Sequence, residues 1–302
     1  MLPKFPEFKS LELSDREEIE KITSHFEPYS DFDFISMWSW DIQGKFKVSE
    51  LNGNLVIVLT DHFTDGPFYS ILGNNEINSS LKQIFAFPLS NSLYKDELRL
   101  VPEISLEGID LNKYLIEIDL NNYDYIFDLS EHVKYEGAKF ASKRKLYNRF
   151  LRDHPEAIVR ILDLGNPNDS KLVLTLAEEW MVSKTNDMNG VNLVKEFLAI
   201  KKFLSLSLQN VMCVGVFVGQ KLIGCEVFAI TGGGYAISHF AKTLPRFTGL
   251  YEYQVSKSAE MLLQKGVKFL NAEEDLGLES LRFSKNSYRP IKFLKKFSIR
   301  EK

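Results

Sequence analysis

The stretch VMCVGVFVGQKLIGCEVFAI, residues 211–230, constrains the fold more than any other part of the chain. Two apolar runs meet at Gly219-Gln220, a break that turns one strand back on the next. GYAISHFAKT (234–243) reads as a third strand. After the loop LPRFTG, residues Tyr251, Val255, Ala259 and Leu262 recur at helical spacing. VKFLNAEED then reads as a strand, residues 278–288 as a helix and IKFLKKFSI as a final strand. Ahead of the first hairpin, SKLVLTLAEEWMVSK and LVKEFLAIKKFLSLSL read as amphipathic helices.

The first half follows a similar plan. Ser14-Asp15-Arg16-Glu17 has the S-x-x-E form that opens a helix, expected to run to about Phe26. KFKVSELNGNLVIVLTD is a second hairpin, turning at Asn52-Gly53-Asn54. FYSILG, a helix-like NSSLKQIFAF, ELRLVP and YLIEIDL continue the alternation. The expected class is α/β (α+β), with two mixed-sheet domains at 1–130 and 131–302, the second opening with a basic helical segment at 139–152. The shared plan points to a duplicated domain.

Charge is distributed unevenly. The net charge is −4, which argues against a general nucleic-acid binder. Yet KFASKRKLYNRFLR (139–152) carries +6 and residues 282–302 carry +7, leaving −17 on the rest. Such islands on an acidic body point to a local anionic ligand. The N-terminal residues have no apolar signal core, and no run approaches the ~20 apolar residues that span a bilayer. Cys213 and Cys225 exclude a disulfide framework, and a cytoplasmic protein is expected. The five histidines lack paired metal-ligand spacing, so no metal site is expected.

The segment NAEEDLGLESLRFSKNSYRP (271–290) holds the strongest site candidates. Glu273, Glu274 and Asp275 crowd a turn at the carboxyl end of a strand, where ligands of open sheets bind. A carboxylate there can take a proton from an attacking acceptor, so Glu273 or Asp275 is the candidate base, with Glu274 alternating to the other side. In the blander interpretation Asp275 only starts the next helix, through Gly277. Arg282, Lys285 and Arg289 share a helix face, where they pair with the acidic turn or hold a phosphate-bearing donor. Tyr288 is a candidate donor to a leaving group. In the basic segment Lys145, Arg149 and Arg152 face away from an apolar arc of Phe140, Leu146, Tyr147, Phe150 and Leu151. Lys143 falls within that arc and Arg144 at its edge, so these two are expected to point into a cleft. Trp38 and Trp40 are expected in packing, and His239 as a satisfied core histidine.

Three stretches together carry a resemblance: SDFDFISMWSW, GAKFASKRKLYNRFLRDHP with the preceding YDYIFDL, and NAEEDLGLESLRFSKNSYRP. In order and separation they resemble the DUF2156 family, relatives of the C-terminal domain of phosphatidylglycerol lysyltransferases. The resemblance implies two GNAT-like (acyl-CoA N-acyltransferase-like) domains in tandem. It implies an aminoacyl or acyl transferase acting on an amine or hydroxyl acceptor: a small molecule, a peptide or a lipid headgroup. In the lipid-modifying relatives the donor is aminoacyl-tRNA and a transmembrane flippase accompanies the domain. The expected co-substrate is therefore aminoacyl-tRNA or acyl-CoA, with no tightly bound cofactor, tRNA as a partner and peripheral membrane contact. Donor-binding candidates are Lys143, Arg144, Arg149, Arg282 and Lys285. Arg246 and Gly249 of RFTGLY match the GNAT pyrophosphate loop R/Q-x-x-G-x-G/A, but Tyr251 stands where glycine or alanine is expected. That departure argues against ordinary acetyl-CoA use. The alternatives are a coenzyme A-dependent N-acetyltransferase and, from another class, a non-catalytic module binding tRNA or an anionic surface.

Overall fold

The computed structural model describes residues 1–90, 92–94, 96–184, 193–206 and 210–302. In chain order its elements are β1 (Lys9–Ser10), α1 (Arg16–Thr23), α2 (Phe34–Trp40), β2 (Lys47–Leu51), β3 (Asn54–Thr60), β4 (Pro67–Leu72), α3 (Ile77–Phe85), β5 (Glu97–Pro102), β6 (Tyr114–Ile118) and β7 (Asp124–Asp128). There follow α4 (Leu129–Lys134), α5 (Ala141–Asp153), β8 (Ile158–Leu162), α6 (Pro167–Lys184), α7 (Leu193–Phe203), β9 (Val211–Val218), β10 (Lys221–Ile230) and β11 (Tyr235–Thr243). The last are α8 (Leu250–Gln264), β12 (Phe269–Asn271), α9 (Glu279–Ser287), β13 (Lys292–Leu294) and β14 (Lys296–Glu301). The fold is mixed α/β, with two seven-stranded mixed sheets, as the GNAT resemblance implies. The helix expected through Leu208 ends at Phe203, and 207–208 lie outside the described residues.

The chain divides into two compact units. One comprises Met1–Asp124, Glu274–Arg282 and Phe293–Lys302; the other comprises Tyr125–Glu273 and Phe283–Lys292. This corrects the boundary at 130, because 274–282 and 293–302 belong with the first unit. The single strand expected at 291–299 is in fact two, β13 in the second sheet and β14 in the first. β14 pairs antiparallel with both β5 and β6, and Lys296 to Ile299 are all buried there. A strand with a ladder on each side and no exposed face belongs to a core rather than to a tail.

The first sheet has the order β1-β2-β3-β4-β5-β14-β6. Its β2–β3 hairpin turns through Asn52 (φ 53°) and Gly53 (φ 82°), whose left-handed backbone matches the strand twist. Val56, Ile71, Leu81, Ile84, Val101 and Ile299 fill its core. The start of α1 differs from expectation. A 3₁₀ turn at Leu13–Asp15 precedes it, the Asp15 carboxylate accepts the Glu12 N–H at 3.0 Å, and the helix ends at Thr23. Trp38 stacks near Phe34 and Trp40 meets His62 edge-on, so both indoles pack within this unit.

The second sheet has the order β13-β7-β12-β11-β10-β9-β8. β9 and β10 form the expected hairpin, while β11 and β12 run parallel. Helix α8 covers one face, with α4 and α5 packed on it around Tyr135, Phe140, Phe228 and Leu262. Helix α6 packs against β10 and β11, and α7 meets β11 where Phe240 and Lys242 project.

Candidate active site

The acidic turn begins where β12 runs out. The β7–β12 ladder extends past Asn271 through Ala272 N–H to Tyr125 O (3.0 Å) and Tyr125 N–H to Glu273 O (3.1 Å). Glu273 has φ 59°, a left-handed backbone that costs a residue with a Cβ about 1 kcal/mol or more. The buried Asn271 side chain holds it there, accepting the Glu273 N–H at 2.7 Å. Lys285 reaches back to the Ala272 carbonyl and its ammonium lies 5.6 Å from the Tyr125 ring centre, fixing the residue before the bend.

The Glu273 side chain meets His239. On β11, Ser238 pairs with Phe228 and Phe240 with Val227, so His239 is the extra residue of a β-bulge. Bulges re-aim the side chain they carry. His239 lies 6.3 Å from Phe203 of α7 between ring centres, and its Nδ1 is 3.2 Å from Glu273 Oε1. The His239 side chain is 1% exposed and that of Glu273 18%, so the carboxylate is the outer member of the pair. Farther along β11, the buried Lys242 ion-pairs with Glu196 and its ammonium lies 4.0 Å from the Trp180 ring centre.

The other two carboxylates of the turn belong to the first unit. Lys296 is wholly buried and donates to Asp124 (2.7 Å) and Ser30 Oγ (3.1 Å); it also pairs with Asp31 and lies 3.8 Å from Glu274. Burial pushes the Asp31 carboxyl above its usual range against the pull of Lys296. Asp275 receives Arg282 at both oxygens (2.8 and 2.9 Å) and the Gly277 N–H at 2.8 Å. Arg282 also donates to Asn121. Buried and holding three donors, the candidate base Asp275 sits instead as an anchor of the turn, the blander of the two interpretations.

Tyr288 is turned into the aromatic cluster under α8, where its hydroxyl lies 3.3 Å from Glu252 Oε1. Burial raises its pKa well above the ordinary phenol value. Lys143 reaches the same carboxylate at 3.5 Å, with its ammonium 3.7 Å from the Tyr288 ring centre. Its place on the apolar arc is therefore explained by a partner, and burial lowers its pKa. Arg144 donates to the Tyr135 and Gly137 carbonyls and ties down the α4–α5 link; it does not point into a cleft. Arg149 pairs with Asp153 at 3.5 Å and, with Lys145 and Arg152, borders a shallow depression on the outer face of α5. Leu151, expected in the apolar arc, is exposed.

Arg246 pairs with Glu179 at 2.6 Å. Gly249, at the start of α8 with φ 83°, faces the backbone of α5: a Cβ there would lie 2.0 Å from the Leu146 carbonyl oxygen. The glycine is required for helix packing, and α5 fills the space beside it. His239, Asn271, Glu252 and Lys296 complete these clusters. Of them the sequence marks only His239, as a polar residue on an apolar strand.

Residues 103–300 match the family described as phosphatidylglycerol lysyltransferase, C-terminal. The chain belongs to that family. In solved structures the likeness of fold extends over nearly the whole chain. A conserved protein of unknown function from Bacteroides thetaiotaomicron matches at TM-score 0.84 and 22% identity, covering 100% of both chains. The DUF2156 C-terminal domain from Agrobacterium fabrum matches at TM-score 0.65 and 11% identity, over 95% of this chain and 91% of that one. L-PGS from Bacillus licheniformis matches at TM-score 0.63 and 12% identity, over 97% and 92%. At such identities the likeness is one of fold. No curated protein matches the chain. Among the described residues no helix is long and apolar enough to cross a membrane.

Proposed function

We propose that the second unit is an aminoacyl- or acyltransferase in which Glu273 is the general base and His239 positions it. The observation that carries this is the order of exposure: a strained, partly exposed carboxylate backed by a buried imidazole, beside the parallel β11–β12 pair. The acceptor nitrogen or oxygen attacks the donor carbonyl directly. The new C–N or C–O bond forms as its proton passes to Glu273, and collapse of the tetrahedral intermediate expels the donor's alcohol or thiol, which takes up a proton. With its Nδ1–H on the carboxylate, His239 fixes the direction of the carboxylate lone pairs.

The packing of Gly249 on Leu146 and the Arg246–Glu179 pair favour a donor other than coenzyme A at the α8 N-terminus. An aminoacyl-tRNA donor suits the basic outer face of α5, where Lys145, Arg149 and Arg152 would meet phosphates. The activity that the family's description names makes a lysyl donor and a phosphatidylglycerol acceptor the first pair to try.

The test is incubation with aminoacyl-tRNAs and acyl-CoAs, each with amine, hydroxyl and lipid acceptors, read by mass spectrometry. Glu273→Gln should lower transfer by about 10²–10⁴-fold with folding intact. His239→Gln should lower kcat and move its pH profile while leaving donor binding unchanged. Full activity of Glu273→Gln in a working assay would refute the assignment. Salt-sensitive tRNA binding without transfer from any donor would favour a binding module instead.

A further inference from the structure

Beneath α8 lies a carboxyl that the proposed transfer chemistry does not use. Glu226 is the one acid in the apolar run KLIGCEVFAI and is 3% exposed. Its Oε1 accepts the Ser238 hydroxyl at 2.8 Å. Its Oε2, Gln254 Oε1 and Ser258 Oγ are all buried, and none of these three atoms is in hydrogen-bonding geometry with a partner. Gln254 and Ser258 stand one turn apart on α8 and face β10 together. Ser238, Ser258 and Gln254 all bear on the carboxyl, yet burial overrides them and pushes its pKa up to about 7.

The Gln254 amide has a fixed orientation. Its Nε2–H donates to the Cys225 carbonyl at 3.1 Å, so Oε1 is left as a bare acceptor. Gly224 makes room for that oxygen, since a Cβ there would lie 2.4 Å from it. With Glu226 ionised, two acceptors would compete for the single hydroxyl hydrogen of Ser258. No cation is among the groups acting on the charge. The other titratable groups that feel it are Tyr135, Tyr251 on α8 and Cys213 on β9, none of which supplies positive charge. A proton on Oε2 removes both deficits at once.

We propose that Glu226 is held as the neutral acid, donating its proton to Gln254 Oε1 and accepting from Ser258, and that loss of this proton unlatches α8 from β10. Helix α8 also carries Glu252, whose backbone carbonyl takes the Tyr135 hydroxyl at 2.9 Å and whose carboxylate seats Tyr288 and Lys143. The latch thereby governs how firmly Lys143 is held. This inference stands whether or not the chain is a transferase.

Infrared spectra of the wild-type chain should contain a protonated-carboxyl band at about pH 6 that fades by about pH 8.5. Asp31 is a second carboxyl raised by burial, so the component belonging to Glu226 is the one that Glu226→Gln removes and Ser258→Ala moves. Glu226→Gln keeps hydrogens facing Gln254 at every pH, so it should hold the latch closed. In hydrogen exchange corrected for intrinsic rates, wild-type α8 should lose about tenfold or more protection over the same interval, and Glu226→Gln should not. Identical carboxyl bands in the wild type and Glu226→Gln at the lower pH, or equal pH dependence of α8 exchange in the two proteins, would overturn the proposal.

Discussion

Replacing Lys296 with Met should destabilise the first unit selectively. The side chain is wholly buried, and so is Asp124, whose carboxylate it meets at 2.7 Å. At that distance, with an effective dielectric constant of about 20, their attraction is about 6 kcal/mol. Much of this offsets the cost of taking both charges out of water. Removal of one partner nevertheless strands the other, and such losses run to about 3–5 kcal/mol. Here Asp124 would keep the Ser30 N–H (2.8 Å) and hydroxyl (2.7 Å), while Asp31 and Glu274 would lose the Lys296 cation as well. The expected loss is therefore about 3–5 kcal/mol, a large share of the ~5–15 kcal/mol that holds a domain. Urea titration followed by tryptophan fluorescence suits the test, because Trp38 and Trp40 belong to the first unit and Trp180 to the second. A Trp180→Phe background leaves only reporters of the first unit. Adding Asp124→Asn to Lys296→Met should recover part of the loss, since the stranded charge is then gone. Lys296→Met within about 1 kcal/mol of the parent would refute the reasoning and make the cluster a solvated one.

Gly249→Ala should cost at least about 1 kcal/mol, because it combines a left-handed backbone with a Cβ 2.0 Å from the Leu146 carbonyl; calorimetry should show a lowered Tm. Between the ordinary carboxyl value of 4.5 and the raised value of about 7 for Glu226, the folded chain binds more protons than the unfolded one, so stability falls as pH rises through that window. The contribution is about 3 kcal/mol, and denaturant titrations across pH should show the fall in stability reduced by about that amount in Glu226→Gln. Asp275→Asn should lower stability rather than catalysis, since it weakens the Arg282 fork and leaves Glu273 in place; a kcat loss with unchanged stability would contradict this.

Local signals in the sequence proved good guides. Asn52-Gly53 and Gly219 place both hairpins, and the Tyr251–Leu262 periodicity places α8. Lys143 was recognisable as an oddity on an apolar arc, though its partner, Glu252 on α8, was not. What remained hidden depends on contacts distant in sequence. Lys296 looks like one more cation of a basic tail until β14 pairs between β5 and β6 and brings it to Asp124, 172 residues away. His239 looks like an ordinary strand histidine because a bulge is a property of two strands, and neither strand announces it alone. The three acids of the turn are alike in sequence, and only their separate partners (His239, Lys296 and Arg282) give them different tasks.

The position of β14 bears on how the protein can be made. A ribosome that has released residues 1–124 has produced most of the first unit, yet that sheet still has a gap between β5 and β6. The gap closes only after the whole second unit has been synthesised, so the second unit can mature first while its predecessor waits with two open strand edges. A nascent chain in that state needs shielding from other chains, and cutting the gene at residue 130 would yield a fragment locked in it.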